Sequence, residues 1–217
     1  MTWLLGNLPL VGSLTLEHLA FALPPVVLGL VLAVPLAWLA NRTRIGRTLT
    51  INVAGLLYTI PSLALLVLLP PFLGTRILDP VNVYVALTVY TVALLVRTVA
   101  DALTAVPPVV VNSATAMGYT PLRRFAAVEL PLAVPVVVAG LRVAAVSSIS
   151  LVTVGALIGF GGLGKMFTDG FQRDIPAEIV TGIVLVLLLA VVVDGLLLFL
   201  GRLVTPWDRV GAARGRR

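Results

Sequence analysis

The chain has 217 residues and a formal net charge of +6, and 59% of its residues are apolar while only 11% are charged. Soluble domains carry about 25% charged residues, so this composition and a mean hydropathy of +1.12 exclude a soluble globule and predict an all-α integral membrane protein. The chain has no cysteine and a single histidine, so we expect no disulfide, no metal site and no cofactor.

Long apolar runs predict about five transmembrane helices within one domain, residues 1–217. Each run has roughly the 20 residues that a hydrocarbon core of about 30 Å requires. The predicted spans are residues 19–40, 51–73, 81–103, 132–152 and 179–200. Residues 104–131 are predicted to form a cytoplasmic loop. Residues 155–174 are predicted to form an extracytoplasmic glycine-rich segment, which is a bend, a re-entrant segment or a sixth span.

The arginines of the loops predict the orientation of the chain. Ten arginines fall on one side of the predicted membrane, against three basic residues on the other. The ten are Arg42, Arg44, Arg47, Arg123, Arg124, Arg202, Arg209, Arg214, Arg216 and Arg217, and the three are Arg76, Lys165 and Arg173. The positive-inside rule therefore predicts an outside N-terminus and a cytoplasmic C-terminus. We interpret the basic tail as an anchor near anionic lipid rather than a nucleic-acid site.

The predicted cytoplasmic loop has the signals of two short helices. Asn112–Met117 suits one helix, with Gly118 as its C-terminal cap. Thr120 suits the N-cap of a second helix, with Pro121 at its first position. The second helix is expected to end where Pro131 begins the next membrane entry. Two short amphipathic helices facing the cytoplasm predict a docking element for a soluble partner.

The loop resembles that of binding-protein-dependent ABC import permeases. That family has the pattern EAA, three residues, Gly, nine residues and Ile-x-Leu-Pro, and this chain has it as Asn112-Ser113-Ala114, Gly118 and Val128-Glu129-Leu130-Pro131. Asn112 departs from the pattern, because the family usually has Glu there. The resemblance implies a type I ABC importer permease fold. It also implies three partners: a cytoplasmic ABC ATPase that docks on this loop, a second permease subunit, and an extracytoplasmic solute-binding protein.

Three other stretches narrow the resemblance to a branch of the family. Tyr58–Leu66, Val128–Pro135 with Ala139–Arg142, and Ile158–Gly164 resemble the glycine betaine/carnitine/choline permeases. The implied function is a solute pathway for a quaternary-ammonium osmoprotectant in the cytoplasmic membrane of a prokaryote. Methionine or a sulfonate remains an alternative solute, because permeases for these share the loop. A secondary transporter is a further alternative.

Polar residues inside the predicted spans are the other candidate site residues. Arg97, Arg142 and Asp194 are charged there, and we expect Asp194 to pair with one of the two arginines, for a structural or a gating role. Arg97 also has Asp101 four residues later as a potential partner. Ser147, Ser148, Ser150 and Thr153 form a cluster that lines the solute path or packs helices closely.

No catalytic motif is found in the sequence. Gly159–Lys165 approaches a Walker A motif, but Met166 stands where the Mg²⁺-binding hydroxyl is needed. There is no HExxH and no GxSxG. We therefore predict a transport subunit without its own ATPase site, driven by a separate ATPase chain.

Overall fold

The computed structural model describes residues 2–207, and every regular element among them is helical. The all-α prediction is thus confirmed for this part of the chain. Four predicted cytoplasmic arginines, Arg209, Arg214, Arg216 and Arg217, lie outside the described residues. The α-helices are α1 (Thr2–Gly6), α2 (Leu8–Ala40), α3 (Arg44–Thr59), α4 (Ser62–Leu73), α5 (Pro80–Thr104), α6 (Pro108–Ala116), α7 (Pro121–Arg124), α8 (Leu130–Val154), α9 (Lys165–Gln172) and α10 (Pro176–Val204).

Four segments are long and apolar enough to cross a membrane: α2, α5, the stretch Pro121–Ile158 that contains α8, and α10. A fifth arises if α3 and α4 together make one span, although they are bent by 104°. The prediction of about five spans is therefore confirmed as four or five. The bend has a local cause, since Pro61 disfavours the helical conformation of the preceding residue. Ile60 accordingly has φ −64° and ψ 127°, which ends α3.

Helix α5 lies at the centre of the fold and packs against α2, α3 and α8. Small residues let these helices approach closely. This is expected inside a membrane, where the hydrophobic effect does not drive helices together and close packing takes its place. A Cβ at Gly29 of α2 would lie 2.3 Å from the Thr91 side chain, and a Cβ at Gly140 of α8 would lie 2.5 Å from the Thr98 side chain. Helix α10 presents many exposed leucines and valines, as a helix that faces lipid would.

The second helix of the loop does not end at Pro131, so that expectation was wrong. Helix α7 continues through one π-helical turn, Phe125–Glu129, directly into α8. The Leu130 N–H donates to the Phe125 carbonyl, five residues back. A proline breaks a helix through its missing N–H and its clash with the carbonyl four residues earlier. The wider turn before Pro131 offers room for the ring, so the loop helix and the membrane helix form one rod.

Candidate functional site

The loop between α5 and α8 is a compact helical hairpin whose turn depends on Gly118. Gly118 has φ +83°, in the left-handed region that favours glycine. Its N–H donates to the Thr115 carbonyl at 3.0 Å, and the Tyr119 N–H donates to the Ala114 carbonyl at 3.1 Å. This pair of bonds is a Schellman motif. The chain then reverses into α7, where the Thr120 hydroxyl accepts from the Arg123 N–H.

Arg124 holds the two helices of the hairpin together. Its Nη1 donates to the Thr115 hydroxyl at 2.8 Å, and its Nε donates to Glu129 Oε1 at 2.6 Å. Both side chains of the Arg124–Glu129 pair are more than two-thirds shielded from solvent. The predicted site residues Arg124 and Glu129 therefore act within this chain, as the link between α6, α7 and the π-helical turn.

The remaining predicted loop residues divide between a buried and an exposed face. Ala114 is buried, and Val128, Leu130 and Pro131 are half-buried. Asn112, Ser113, Gly118 and Arg123 are exposed. The side chains of Met117 and Leu122 are 70% and 63% exposed. Exposed apolar side chains that flank a rigid turn form a surface suited to docking another protein.

The hairpin is packed against the C-terminal end of α2. The rings of Trp38 and Phe125 have centroids 5.1 Å apart, and the guanidinium of Arg42 lies 4.1 Å from the centroid of the Trp38 ring. The Asn41 side chain also donates to the Ala100 carbonyl near the end of α5 at 2.9 Å. A displacement of the hairpin would therefore be transmitted to α2, and through α8 to the middle of the fold.

A polar cavity of about 320 Å³ lies beside the bend between α3 and α4. It is lined by Tyr58, Ile60, Ser62, Tyr90, Ser147, Ser150 and Leu151. The Tyr90 hydroxyl donates to the Ile60 carbonyl at the bend. The Tyr58 and Tyr90 rings meet edge-on with centroids 5.9 Å apart. The bend thus fixes one tyrosine, which in turn orients the other toward the cavity.

The predicted serine and threonine cluster is split by the helix into two groups. Ser147 and Ser150, three residues apart on one face of α8, line the polar cavity. Ser148 is buried and donates to the Ala22 carbonyl of α2 at 2.9 Å. Thr153 donates to the Ser150 carbonyl at 2.6 Å. The Ser148 contact fits the helix-packing alternative, whereas the pathway role of Ser147 and Ser150, which line the polar cavity, stays a prediction.

Arg142 and Asp194 form a bidentate pair between α8 and α10. Arg142 Nε donates to Asp194 Oδ1 at 2.8 Å, and Arg142 Nη2 donates to Asp194 Oδ2 at 2.6 Å. Arg97 is not part of this pair. The expected Arg97–Asp101 contact is also not formed, because Arg47 of α3 pairs with Asp101 instead. Arg97 instead lines a second cavity, between α3, α5 and α8.

The glycine-rich segment packs against α2 at the end opposite the hairpin. A Cβ at Gly162 would lie 2.6 Å from the backbone of His18, and His18 is about 30 Å along α2 from Trp38. The His18 ring is fully buried, with Nε2 2.9 Å from the Ile149 carbonyl. Lys165 donates to Glu17 Oε1 at 2.7 Å. The segment is thus an ordered turn between α8 and α9, with no P-loop strand among residues 2–207.

Comparison with known proteins gives the family of the chain. Residues 25–206 match the family described as binding-protein-dependent transport system inner membrane component. The chain belongs to this family. The predicted resemblance to ABC import permeases is therefore confirmed, and the match covers the C-terminal half of α2, the loop hairpin and all the later spans.

Individual relatives of this permease align with nearly the whole chain. The choline transport system permease protein OpuBB of Bacillus subtilis (strain 168) is 35% identical over 192 residues, which is 88% of this chain and 87% of the relative. The osmoprotectant import permease protein OsmW of Salmonella typhimurium is 34% identical over 209 residues, 94% of this chain and 96% of the relative. The chain also resembles a subunit of the inward-facing MetNI methionine ABC transporter, with a TM-score of 0.81 and 27% identity over 94% of this chain and 98% of that one. The predicted type I importer permease fold is thus confirmed.

Sequence reasoning missed the residues of the polar cavity that do not belong to α8. Tyr58, Ser62 and Tyr90 come from three helices, and their grouping depends on the 104° bend. In the sequence, the stretch Tyr58–Leu66 stands out only through its resemblance to the permease family. The sequence does contain a signal, since Pro61 lies close to Tyr58, Thr59 and Ser62 in an otherwise apolar run.

Proposed function

We propose that this permease forms the solute pathway of an ATP-driven importer for a quaternary-ammonium osmoprotectant such as glycine betaine, choline or carnitine. The observation that carries the transport role is the hairpin of α6 and α7, which is rigid, exposed and continuous with a membrane helix. A separate ABC ATPase would bind this hairpin in the cytoplasm. The orientation that the arginines predict, with the N-terminus outside and the C-terminus cytoplasmic, puts the hairpin on the ATPase side.

The way in which the hairpin joins α8 supports a mechanical role. Because α7, the π-helical turn and α8 form one continuous rod, movement of the hairpin would tilt α8 rather than flex a loop. Helix α8 carries Ser147 and Ser150 on the cavity wall. ATP binding in the partner would therefore change the shape of the cavity and switch its opening from one side of the membrane to the other.

The assembly we propose contains two permease subunits, an ATPase and an extracytoplasmic binding protein, in the cytoplasmic membrane of a prokaryote. Five spans in one chain are few for enclosing a path, and the polar cavity beside α3, α5 and α8 is open on one side. A second permease subunit facing this cavity would close it. Solute would arrive from the binding protein at the end of the bundle that carries the glycine-rich segment.

The proposed docking surface can be tested by adding charge to its exposed apolar side chains. We expect Met117→Asp and Leu122→Asp to abolish co-purification of the ATPase subunit, since each would bury a carboxylate in an apolar contact. Ile77→Asp is the matched control, because Ile77 is similarly exposed at 61% in the turn before α5. Normal recovery of the ATPase with both hairpin variants would rule out this surface as its docking site.

The proposed solute class rests on the relatives named for choline and osmoprotectant transport. The structural likeness to a methionine transporter subunit favours methionine as the second candidate. The test is uptake by the complete assembly in proteoliposomes. Saturable uptake of glycine betaine, choline or carnitine that excess methionine leaves unchanged supports the proposal. Methionine uptake without uptake of these three solutes would contradict it.

A further inference from the structure

Arg97 is an exposed arginine in the C-terminal half of the central helix α5. It lines a cavity of about 370 Å³ together with Tyr58 and Thr98. Asp101 is taken by Arg47, and Asp194 is taken by Arg142. Within residues 2–207, Arg97 has no carboxylate partner. An arginine in a predicted span without a partner in its own chain is costly and marks a candidate functional site.

Tyr58 lies between the Arg97 cavity and the polar cavity, because it lines both. Its side chain is 47% exposed, so its ring is available to a ligand. The edge-on contact with Tyr90 holds that ring in place. Helix α3 ends at Thr59, one residue later, and a helix C-terminus carries partial negative charge. The aromatic ring and the end of α3 therefore both favour a positive group in the polar cavity.

The two cavities lie along α5 and favour ligand groups of opposite charge. Tyr90 precedes Arg97 by seven residues, two helical turns, which is a rise of about 10 Å. A positive group is favoured at the Tyr58 end, and a negative group is favoured at the Arg97 end. Of the eight other residues that line the Arg97 cavity, none is charged and only Tyr58 and Thr98 carry a side-chain hydroxyl, so little competes with a ligand for the Arg97 guanidinium.

We infer that Tyr58 and Arg97 form a binding site for a zwitterion within the membrane part of this permease, with an alkylated ammonium against Tyr58 and a carboxylate against Arg97. The ammonium is held by cation–π attraction. The carboxylate accepts charge-assisted hydrogen bonds from the guanidinium. This inference rests on the proposed function and narrows it, because betaines and carnitine have both groups while choline has only the cation.

The inference separates zwitterions from simple cations on physical grounds. A cation without a carboxylate would gain the contact with Tyr58 but would leave Arg97 unpaired and would be repelled by it. An anion alone would find Arg97 but not the ring. Only a molecule with both charges satisfies both ends of the site.

The test uses the fact that the chain has no cysteine. Ser147→Cys places a single thiol on the wall of the polar cavity, and Ser13→Cys places one on the exposed surface of α2 as a control. The complete assembly in nanodiscs is treated with N-ethylmaleimide, and the label on this chain is measured by mass spectrometry. We expect saturating glycine betaine to slow labelling of Ser147→Cys by about fivefold and to leave Ser13→Cys unchanged. Choline at the same concentration should slow it less than about twofold.

Second-site variants identify the groups responsible. In the Ser147→Cys background, Arg97→Gln should remove the protection by glycine betaine, and Arg97→Lys should retain part of it. Tyr58→Leu should also remove protection, whereas Tyr58→Phe should keep it, because the ring and not the hydroxyl holds the ammonium. The conservative variants report on the site even if a more drastic variant fails to assemble. Arg76→Gln, which changes an exposed arginine outside both cavities, is the matched charge control.

Uptake by the unmodified assembly distinguishes a failure of the zwitterion site from a failure of the proposed transport function. If that assembly imports glycine betaine but labelling is not slowed, or is slowed equally by choline or in Arg97→Gln, the zwitterion site is wrong and the proposed function stands. If the unmodified assembly imports none of the quaternary-ammonium solutes, the proposed function fails, and the inference fails with it.

Discussion

Replacement of Gly118 by alanine tests the hairpin with the fewest side effects. Gly118 has φ +83°, and a Cβ there would meet no atom within 4 Å. The variant therefore adds backbone strain without a steric clash. The left-handed conformation costs an ordinary residue about 1–2 kcal/mol. Because 1.4 kcal/mol corresponds to a factor of ten, we expect the affinity for the ATPase subunit to fall about 5- to 30-fold.

The assay is titration of the purified ATPase subunit onto the permease in nanodiscs, with solute-stimulated ATP hydrolysis as a second readout. Gly118→Asn should lie between wild type and alanine, since asparagine tolerates the left-handed conformation better. Gly12→Ala is the control, because Gly12 lies within α2 and a Cβ there also meets nothing within 4 Å. Wild-type affinity in Gly118→Ala, or weaker binding by Gly118→Asn than by Gly118→Ala, would refute the role of the turn.

Three further predictions concern other contacts. Arg124→Ala should reduce the coupling of ATP hydrolysis to uptake, because it removes the bonds that join α6 to α7, and unchanged coupling would contradict this. Asp194→Asn and Arg142→Gln should each lower the melting temperature in detergent, since each single change leaves one polar partner unmatched. The double variant should recover most of this loss. Additive losses in the double variant would show that the two side chains are not coupled. Gly162→Ala should sharply reduce the yield of folded protein, because its Cβ would strike the α2 backbone, while Gly195→Ala, with open space around it, should express normally.

Hydropathy predicts most of the membrane helices, but it does not predict where a helix bends and where it continues through a proline. Apolar runs predict how many helices span the membrane, because lipid requires a minimum length of apolar helix. Pro61 and Pro131 both appear as interruptions in the sequence. Pro61 lies at a 104° bend between two helices, whereas Pro131 is accommodated in a continuous helix by the π-helical turn before it. The difference depends on the hydrogen bonds of the neighbouring residues, which the sequence pattern does not contain.

The candidate site was predictable where its residues are close in sequence. The turn at Gly118 follows from local signals, since a C-cap glycine and a threonine–proline start are specified within a few residues. The ion-pair partners of the charged residues were harder to predict. Asp101 satisfies the i,i+4 rule with Arg97, but Arg47 from another helix reaches it instead. The polar cavity beside Tyr58 is lined by residues of four helices, α3, α4, α5 and α8, so only the structure reveals it.

The proposed function depends most directly on whether ATP drives uptake through this chain. The decisive measurement is accumulation of radiolabelled glycine betaine in proteoliposomes that contain the permease, its ATPase and its binding protein. Our account predicts accumulation against a gradient that requires ATP and the binding protein, and that is lost in Met117→Asp but kept in Ile77→Asp. Equal accumulation without ATP, or by the permease alone, would contradict it and would indicate a secondary transporter.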